Sequence, residues 1–89
     1  MKAIITVNAA DTFGIIAFIS GYLAEHKVNI LDISQTIMQD YFVMIMLVDF
    51  EHSELPFDAL RSGLMAEGER RNVSIHVQRE DIFQAMHRI

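Results

Sequence analysis

The residues best suited to ligand recognition are Gly14, which ends the segment NAADTFG (8–14), and Asn29, which starts a later apolar run. Gly14 comes directly before a run with helical spacing. Backbone N–H groups at a helix N-terminus can receive a carboxylate, and glycine permits close approach of the chain to a ligand. The amide of Asn29 both donates and accepts hydrogen bonds. This spacing allows a small zwitterion to be held between the two elements, each contributed by a different subunit.

Side chains for catalysis or metal binding are not grouped in this way. The chain has no cysteine, which excludes a thiolate zinc site and a cysteine nucleophile. Segment 8–14 lacks the arginine with which an acylphosphatase holds phosphate, and Asp11, its only ionisable residue, is better explained as a helix cap. Four histidines fall on separate elements without ligand spacing: His26, His52, His76 and His87. We therefore expect no catalytic residue, no metal site and no cofactor.

Composition and charge restrict the class of protein further. The 89 residues form a single domain, 1–89, because the chain is too short for two cores. The formal net charge is −5, and residues 1–60 hold two lysines against eight acids, which argues against nucleic-acid binding. No apolar stretch approaches the roughly 20 residues that span a bilayer, and the N-terminus does not resemble a signal peptide. We expect a cytoplasmic protein with no membrane contact.

Periodicity predicts alternating strands and helices. Short β-branched runs indicate strands, and apolar residues three or four apart indicate helices. Pro56 fits the first turn of the second helix. The predicted strands are 2–8, 29–38, 42–50 and 73–77, and the predicted helices are 15–27, a segment starting near Pro56 and ending near Gly68, and a short tail over 80–89.

The order β-α-β-β-α-β predicts an α+β, ferredoxin-like fold. In this fold a four-stranded antiparallel sheet carries two helices on one face, here with a short C-terminal helix in addition. Right-handed crossovers place the first and third strands in the centre of the sheet.

Apolar residues exceed what one small core needs, since 52% of the chain is hydrophobic. The strand over 42–50 is apolar on both faces, although only one face has helices of this chain. Phe18 and Tyr22 lie opposite the core side of the first helix and also need cover. Either the tail helix or a second copy of the chain would cover the second face of this strand. Because the tail is short, these surfaces favour a second copy, and hence a homodimer.

Two segments and the tail resemble the ACT-domain family. They are VNAADTFGII (7–16), VNILDISQT (28–36) and a tail similar to the I-F-x-A-M-H-x-I ending of small stand-alone ACT proteins. The family loop commonly reads Gly-x-Asp-x-Pro-Gly, and here Ala9 and Phe13 replace its first Gly and its Pro. ACT domains are regulatory modules that bind amino acids at subunit interfaces and often dimerise side by side. The resemblance implies a ligand crevice lined by Asp11, Gly14, Ile15 and Asn29, with Phe13 and Ile30 beside them.

The function expected from these features is a non-catalytic, homodimeric regulatory module that binds a small molecule, an amino acid above all. Its output would pass through a separate partner enzyme or regulator. A protein-interaction adaptor that needs no metabolite is the alternative. An enzyme would need an acid–base pair, and the crevice offers only Asp11. RNA binding would need aromatic residues on a basic sheet face and ranks last.

Overall fold

The computed structural model describes residues 1–10 and 14–81 and confirms the predicted order of elements. The predicted cap at Asp11 and the tail helix over residues 82–89 lie outside the described residues. The elements are β1 (Lys2–Ala9), α1 (Ile15–Glu25), β2 (Asn29–Met38), β3 (Tyr41–Asp49), α2 (Phe57–Arg70) and β4 (Ser74–Arg79).

The four strands form one antiparallel sheet in the order β2-β3-β1-β4, so the first and third strands are central, as predicted. β2 and β3 form a hairpin whose turn, Gln39-Asp40, has Gln39 in a left-handed conformation at φ 55°. β2 carries a bulge between Ile30 and Asp32. Its outer edge is an edge of the sheet.

The core lies between the sheet and the two helices. β1, β3 and β4 alternate, and each turns one set of apolar side chains towards α1 and α2, the face that we call the helix face. Ile5 of β1 is 1% exposed and lies in register between Met46 of β3 and Val77 of β4. Ile19 and Leu64 bring the two helices onto this layer, and both are almost fully buried.

Both helices end in the same way. The N–H of Val28 donates to the carbonyl of Leu23 at 2.8 Å, and the N–H of Val73 donates to the carbonyl of Gly68 at 2.8 Å. The residue before each valine, Lys27 or Asn72, has a positive φ near 60°. This is a Schellman-type ending, in which the residue after the left-handed one packs back on the helix, and both valines are buried.

Candidate functional site

A pocket of about 500 Å³ opens at the end of the sheet where β1 finishes. Asn8 pairs with Ser74, so the turn between α2 and β4 lies beside the chain that leaves β1. The first turn of α1 forms the third wall. We call this the α1 pocket; it is lined by Ala9, Ala10, Gly14, Ile15, Phe18, Arg71, Asn72 and Val73.

Gly14 sets the start of α1 at this pocket. Its backbone is left-handed, with φ 72° and ψ −1°, a conformation that favours glycine. Its carbonyl accepts from the N–H of Phe18 at 3.0 Å, so the helix begins directly after it. The N–H groups of a first helical turn have no acceptor within the helix and carry the positive end of its dipole. Ile15 lines the same pocket, but its side chain is buried in the core and acts as a wall.

Arg71 and Phe18 both line the α1 pocket and contact each other. The guanidinium carbon of Arg71 lies 4.5 Å from the ring centroid of Phe18, a cation–π contact. One Nη of Arg71 is 3.8 Å from Oε2 of Glu67, while Oε1 of Glu67 accepts a hydrogen bond from Arg70. Sequence reasoning did not place Arg71 in the site, because two arginines at a helix end are typical of a solvated surface.

Asn29 and Ile30 lie at the opposite end of the same subunit. Asn29 is in register with Asp49, and Asp49 is in register with Lys2 at the start of β1. The eight residues of β1 separate this end from Gly14 by roughly 23 Å. Asn29 is exposed, and Ile30 packs partly buried against the core. One chain therefore brings Gly14 and Ile15 together and leaves Asn29 and Ile30 apart from them. Asp11 and Phe13 lie outside the described residues.

Phe18 and Tyr22 do not need a second subunit for cover, contrary to the sequence-based expectation. Both are partly buried and pack against the core. The Tyr22 hydroxyl donates to the carbonyl of Leu60 in α2 at 3.2 Å. Burial, and then the charges of Glu67 and Glu25, raise the pKa of Tyr22, which keeps this donor protonated. The second helix of the same chain covers this side of α1.

The exposed apolar surface lies mainly on β2 and beside it. Ile33 and Ile37 of β2 pair with the buried Met46 and Phe42, yet they are 42% and 69% exposed. Ile16 on the outer side of α1 is also exposed. Ile33 and Ile37 lie on the helix face of the sheet, where the helices leave them exposed. We call Ile33, Ile37 and the outer edge of β2 the β2 surface.

The open face of the sheet, opposite the helices, carries a smaller apolar group. Val43, Ile45 and Leu47 of β3 face this side; Ile45 is 43% exposed, and the other two are partly buried. His76 lies on the same face, with Nε2 3.5 Å from the Ser74 hydroxyl. Among residues 1–10 and 14–81, no three histidine or acidic side chains are grouped to hold a metal ion.

Charged groups with displaced pKa values lie away from the α1 pocket. The ion pair between Lys27 and Glu54, at 2.9 Å, raises the pKa of the lysine and lowers that of the glutamate. The backbone N–H of Glu51 and the N-terminal ammonium lower the pKa of Asp49. These groups hold loops and strand ends together and do not face the pocket.

Comparison with known families assigns this fold to one class of protein. The model of the ACT domain matches residues 2–78, so the chain belongs to the ACT-domain family. The ACT domain is a ligand-binding regulatory module. Within it, the chain is 55% identical over 89 residues to a UPF0237 protein of Clostridium acetobutylicum, with both chains fully covered. It is 49% identical over 88 residues to a UPF0237 protein of Methanocaldococcus jannaschii, covering 99% of this chain and 98% of that one.

Solved structures agree with this assignment. An ACT domain protein from Streptococcus pneumoniae has 45% identity and a TM-score of 0.83, with 98% of each chain covered. A formyltetrahydrofolate deformylase from Pseudomonas syringae pv. tomato has a TM-score of 0.78 at 20% identity, over 88% of this chain and 27% of that one. The second likeness concerns the fold alone.

No helix in the described parts of the chain is long and apolar enough to cross a membrane.

Proposed function

We propose that this protein is a homodimeric, non-catalytic regulatory module whose ligand is an amino acid. The observation that carries the proposal is the α1 pocket, which opens at the left-handed Gly14 and the first turn of α1. A helix N-terminus favours a carboxylate through its N–H groups and its dipole. Every amino acid offers such a carboxylate, and the apolar walls of the pocket leave room for a side chain.

The β2 surface supports dimerisation with a second copy. β2 is ten residues long and contains neither lysine nor proline, the residues that commonly protect an edge strand from pairing. Asp32 is its only charged residue. Pairing of two such edges would continue the sheet across both subunits and cover Ile33 and Ile37. The same patch serves both copies, as a two-fold interface requires.

Antiparallel pairing of the two β2 strands would also complete the site. In such a pair the first residue of one strand lies beside the last residue of the other. Met38, at the end of β2, pairs with Tyr41, and the neighbouring Phe42 pairs with Ala9, so Met38 lies at the Gly14 end of the sheet. The partner subunit's Asn29 would therefore reach the end where Gly14 lies. Its amide is suited to the remaining polar group of an amino acid.

Mass measurement and calorimetry test this proposal together. Light scattering should give a dimer for the unmodified chain, and calorimetry with the twenty amino acids should give saturable binding at millimolar concentration or tighter. Ile37→Lys should give a monomer that has lost binding, because it places a charge in the paired edge. Asn29→Ala should remain a dimer and bind at least about tenfold more weakly.

Ile45→Lys is the matched control, since Ile45 is exposed on the other face of the sheet. It should leave the dimer intact. A monomer for the unmodified chain, or dissociation by Ile45→Lys alone, would contradict the edge-paired dimer. If none of the twenty amino acids binds, the ligand class is wrong.

A protein-interaction adaptor is the second candidate, and the exposed β2 edge favours it. An edge strand with unpaired N–H and C=O groups can take up an extended segment of another protein. An adaptor would bind a purified partner without any metabolite, and Ile37→Lys would abolish that complex. Substitution of Phe18 or Tyr22 does not separate the two candidates, because both side chains pack against the core of their own chain and Tyr22 also bonds to α2.

A further inference from the structure

Arg71 is the only cationic side chain among the described residues that line the α1 pocket. It lies directly after α2, which brings it to the pocket beside Val73, the buried residue that ends the turn. Among the described residues its nearest acidic oxygen is Oε2 of Glu67, at 3.8 Å, which is longer than a hydrogen bond. The other oxygen of Glu67 is bonded to Arg70. Two arginines therefore share one carboxylate, and Arg71 holds the weaker contact.

Phe18 fixes the position of this guanidinium. The N–H groups of a guanidinium lie in its plane. A guanidinium stacked on an aromatic ring can therefore still bind the two oxygens of a carboxylate at its edge. The 4.5 Å contact with the ring of Phe18 limits the rotamers of Arg71 before any ligand arrives. A cation that is already ordered loses less conformational freedom on binding.

We propose that the α1 pocket binds a small organic monoanion, a carboxylate, through the guanidinium of Arg71, with Phe18 as its positioning residue. Among the described lining residues, the one cation matches a single negative charge. The net charge of −5 opposes the approach of more highly charged anions. The walls formed by Ala9, Ile15 and Val73 are apolar, which favours an anion with a hydrocarbon body over an inorganic one. The inference rests on the proposed function, because it names the residue that would recognise the ligand's carboxylate.

The test uses the full chain and three defined probes: isobutyrate, its neutral isostere isobutyramide, and inorganic phosphate. Amide chemical shifts are followed by ¹⁵N NMR during titration of each probe. Isobutyrate should shift residues 14–18 and 71–73 saturably, whereas isobutyramide and phosphate should bind at least about tenfold more weakly. Arg71→Gln should weaken isobutyrate binding by about tenfold or more, because a charge-assisted hydrogen bond is lost.

Arg70→Gln is the matched control, since it removes the same charge from the neighbouring position, where the side chain contacts Glu67. It should keep isobutyrate affinity within about twofold. Phe18→Leu preserves an apolar wall and should weaken isobutyrate by several-fold without changing the response to isobutyramide. Well-dispersed spectra for each variant establish that it is folded.

Equal binding of isobutyrate and isobutyramide, tighter binding of phosphate, or equal losses for Arg70→Gln and Arg71→Gln would each overturn the inference. The proposed function fails separately. If an amino acid binds the dimer and Arg71→Gln leaves its affinity unchanged, the amino-acid site stands and the role of Arg71 is wrong. If isobutyrate binding depends on Arg71 and no amino acid binds, the anion site stands and the amino-acid proposal is wrong.

Discussion

β2 and β3 are neighbouring strands of one hairpin and carry similar apolar runs, but they are buried very differently. On β3, Phe42, Met44, Met46 and Val48 are all less than 5% exposed. On β2, every residue from Leu31 to Ile37 is exposed. The difference follows from position, because β3 lies inside the sheet beneath the helices and β2 forms its edge. Apolar content alone therefore does not decide which strand is buried in the core and which is exposed at the edge.

The two sides of α1 repeat this contrast. Phe18 and Tyr22 face the second helix and are partly buried, whereas Ile16 is 43% exposed. α2 covers the side of the molecule that contains β4, and no described element covers the side that contains the outer edge of β2. In the part of the chain that the structure describes, Ile16, Ile33 and Ile37 therefore leave apolar area exposed on this side of the molecule.

The largest expected effect tests the difference in burial between β2 and β3 directly. Met46 and Ile33 lie opposite each other in register, with 1% and 42% exposure. Met46→Ala should lower the free energy of unfolding by roughly 2–5 kcal/mol, since it leaves a cavity in a packed core. Ile33→Ala should cost only about 1 kcal/mol in the monomer, because half of the side chain is already in water.

Urea denaturation at two protein concentrations measures both effects and separates their origins. Dimerisation makes apparent stability depend on concentration. Met46→Ala should retain that dependence, and Ile33→Ala should reduce it. Equal losses of stability for the two variants would mean that β2 is as well packed as β3 within one subunit, and the contrast would be wrong.

A smaller effect is expected from two glycines inside the helices. A Cβ on Gly63 of α2 would overlap the hydroxyl of Tyr22, whereas a Cβ on Gly21 of α1 would meet no atom within 4 Å. Gly63→Ala should destabilise by roughly 1–3 kcal/mol, because Tyr22 must move. Gly21→Ala should stabilise by roughly 0.5–1 kcal/mol, because alanine loses less backbone entropy in a helix.

Thermal and urea unfolding measure the stability changes of the two glycine variants. Tyr22→Phe then tests whether the Tyr22 hydroxyl causes the loss in Gly63→Ala. Without the hydroxyl, Gly63→Ala should cost less, so the two changes should be coupled in a double-mutant cycle. A stabilising Gly63→Ala would mean that α1 and α2 are not in close contact through Tyr22. The side of α1 that carries Tyr22 would then be no more closely packed than the side that carries Ile16.

Much of the fold was predictable because it depends on local pattern. Alternation at Val73, Ile75 and Val77 identified β4, and Gly14 before an apolar run identified the start of α1. The exposure of Phe18 and Tyr22 was predicted wrongly, because both pack against the core and the Tyr22 hydroxyl bonds to α2, about forty residues along the chain. A periodicity shows that a helix has a second apolar side, but it does not show which element lies against that side.

The site was less predictable because it also depends on contacts between elements that are far apart in the sequence. The bulge at Ile30 shifts the alternation of β2, so that Ile30, Ile33 and Ile37 all face the helix side, which a regular strand would not allow. Arg71 enters the pocket through the tertiary pairing of β4 with β1, and a charged residue at a helix end gives no sign of it in the sequence. The position of Gly14 at the start of α1 could be predicted because it depends only on neighbouring residues.

The smallest expected effect concerns Asp49, which lies in register with Asn29 of β2 on one side and Lys2 of β1 on the other. Hydrogen bonds from the Glu51 N–H at 3.0 Å and the N-terminal ammonium at 3.2 Å lower the pKa of this carboxyl in the folded state. A group whose folded pKa is lowered stabilises the protein above its unfolded pKa, and that contribution is lost as the pH falls below about 4.

Asp49→Asn should therefore flatten the fall in melting temperature between neutral and acidic pH, while Asp40→Asn in the exposed hairpin turn keeps the original slope. Because the contrast between β2 and β3 is one of apolar packing, Asp49→Asn should leave the dimer fraction unchanged at pH 7. A loss of dimer in this variant would mean that charge at the strand end, rather than the apolar β2 surface, holds the two subunits together.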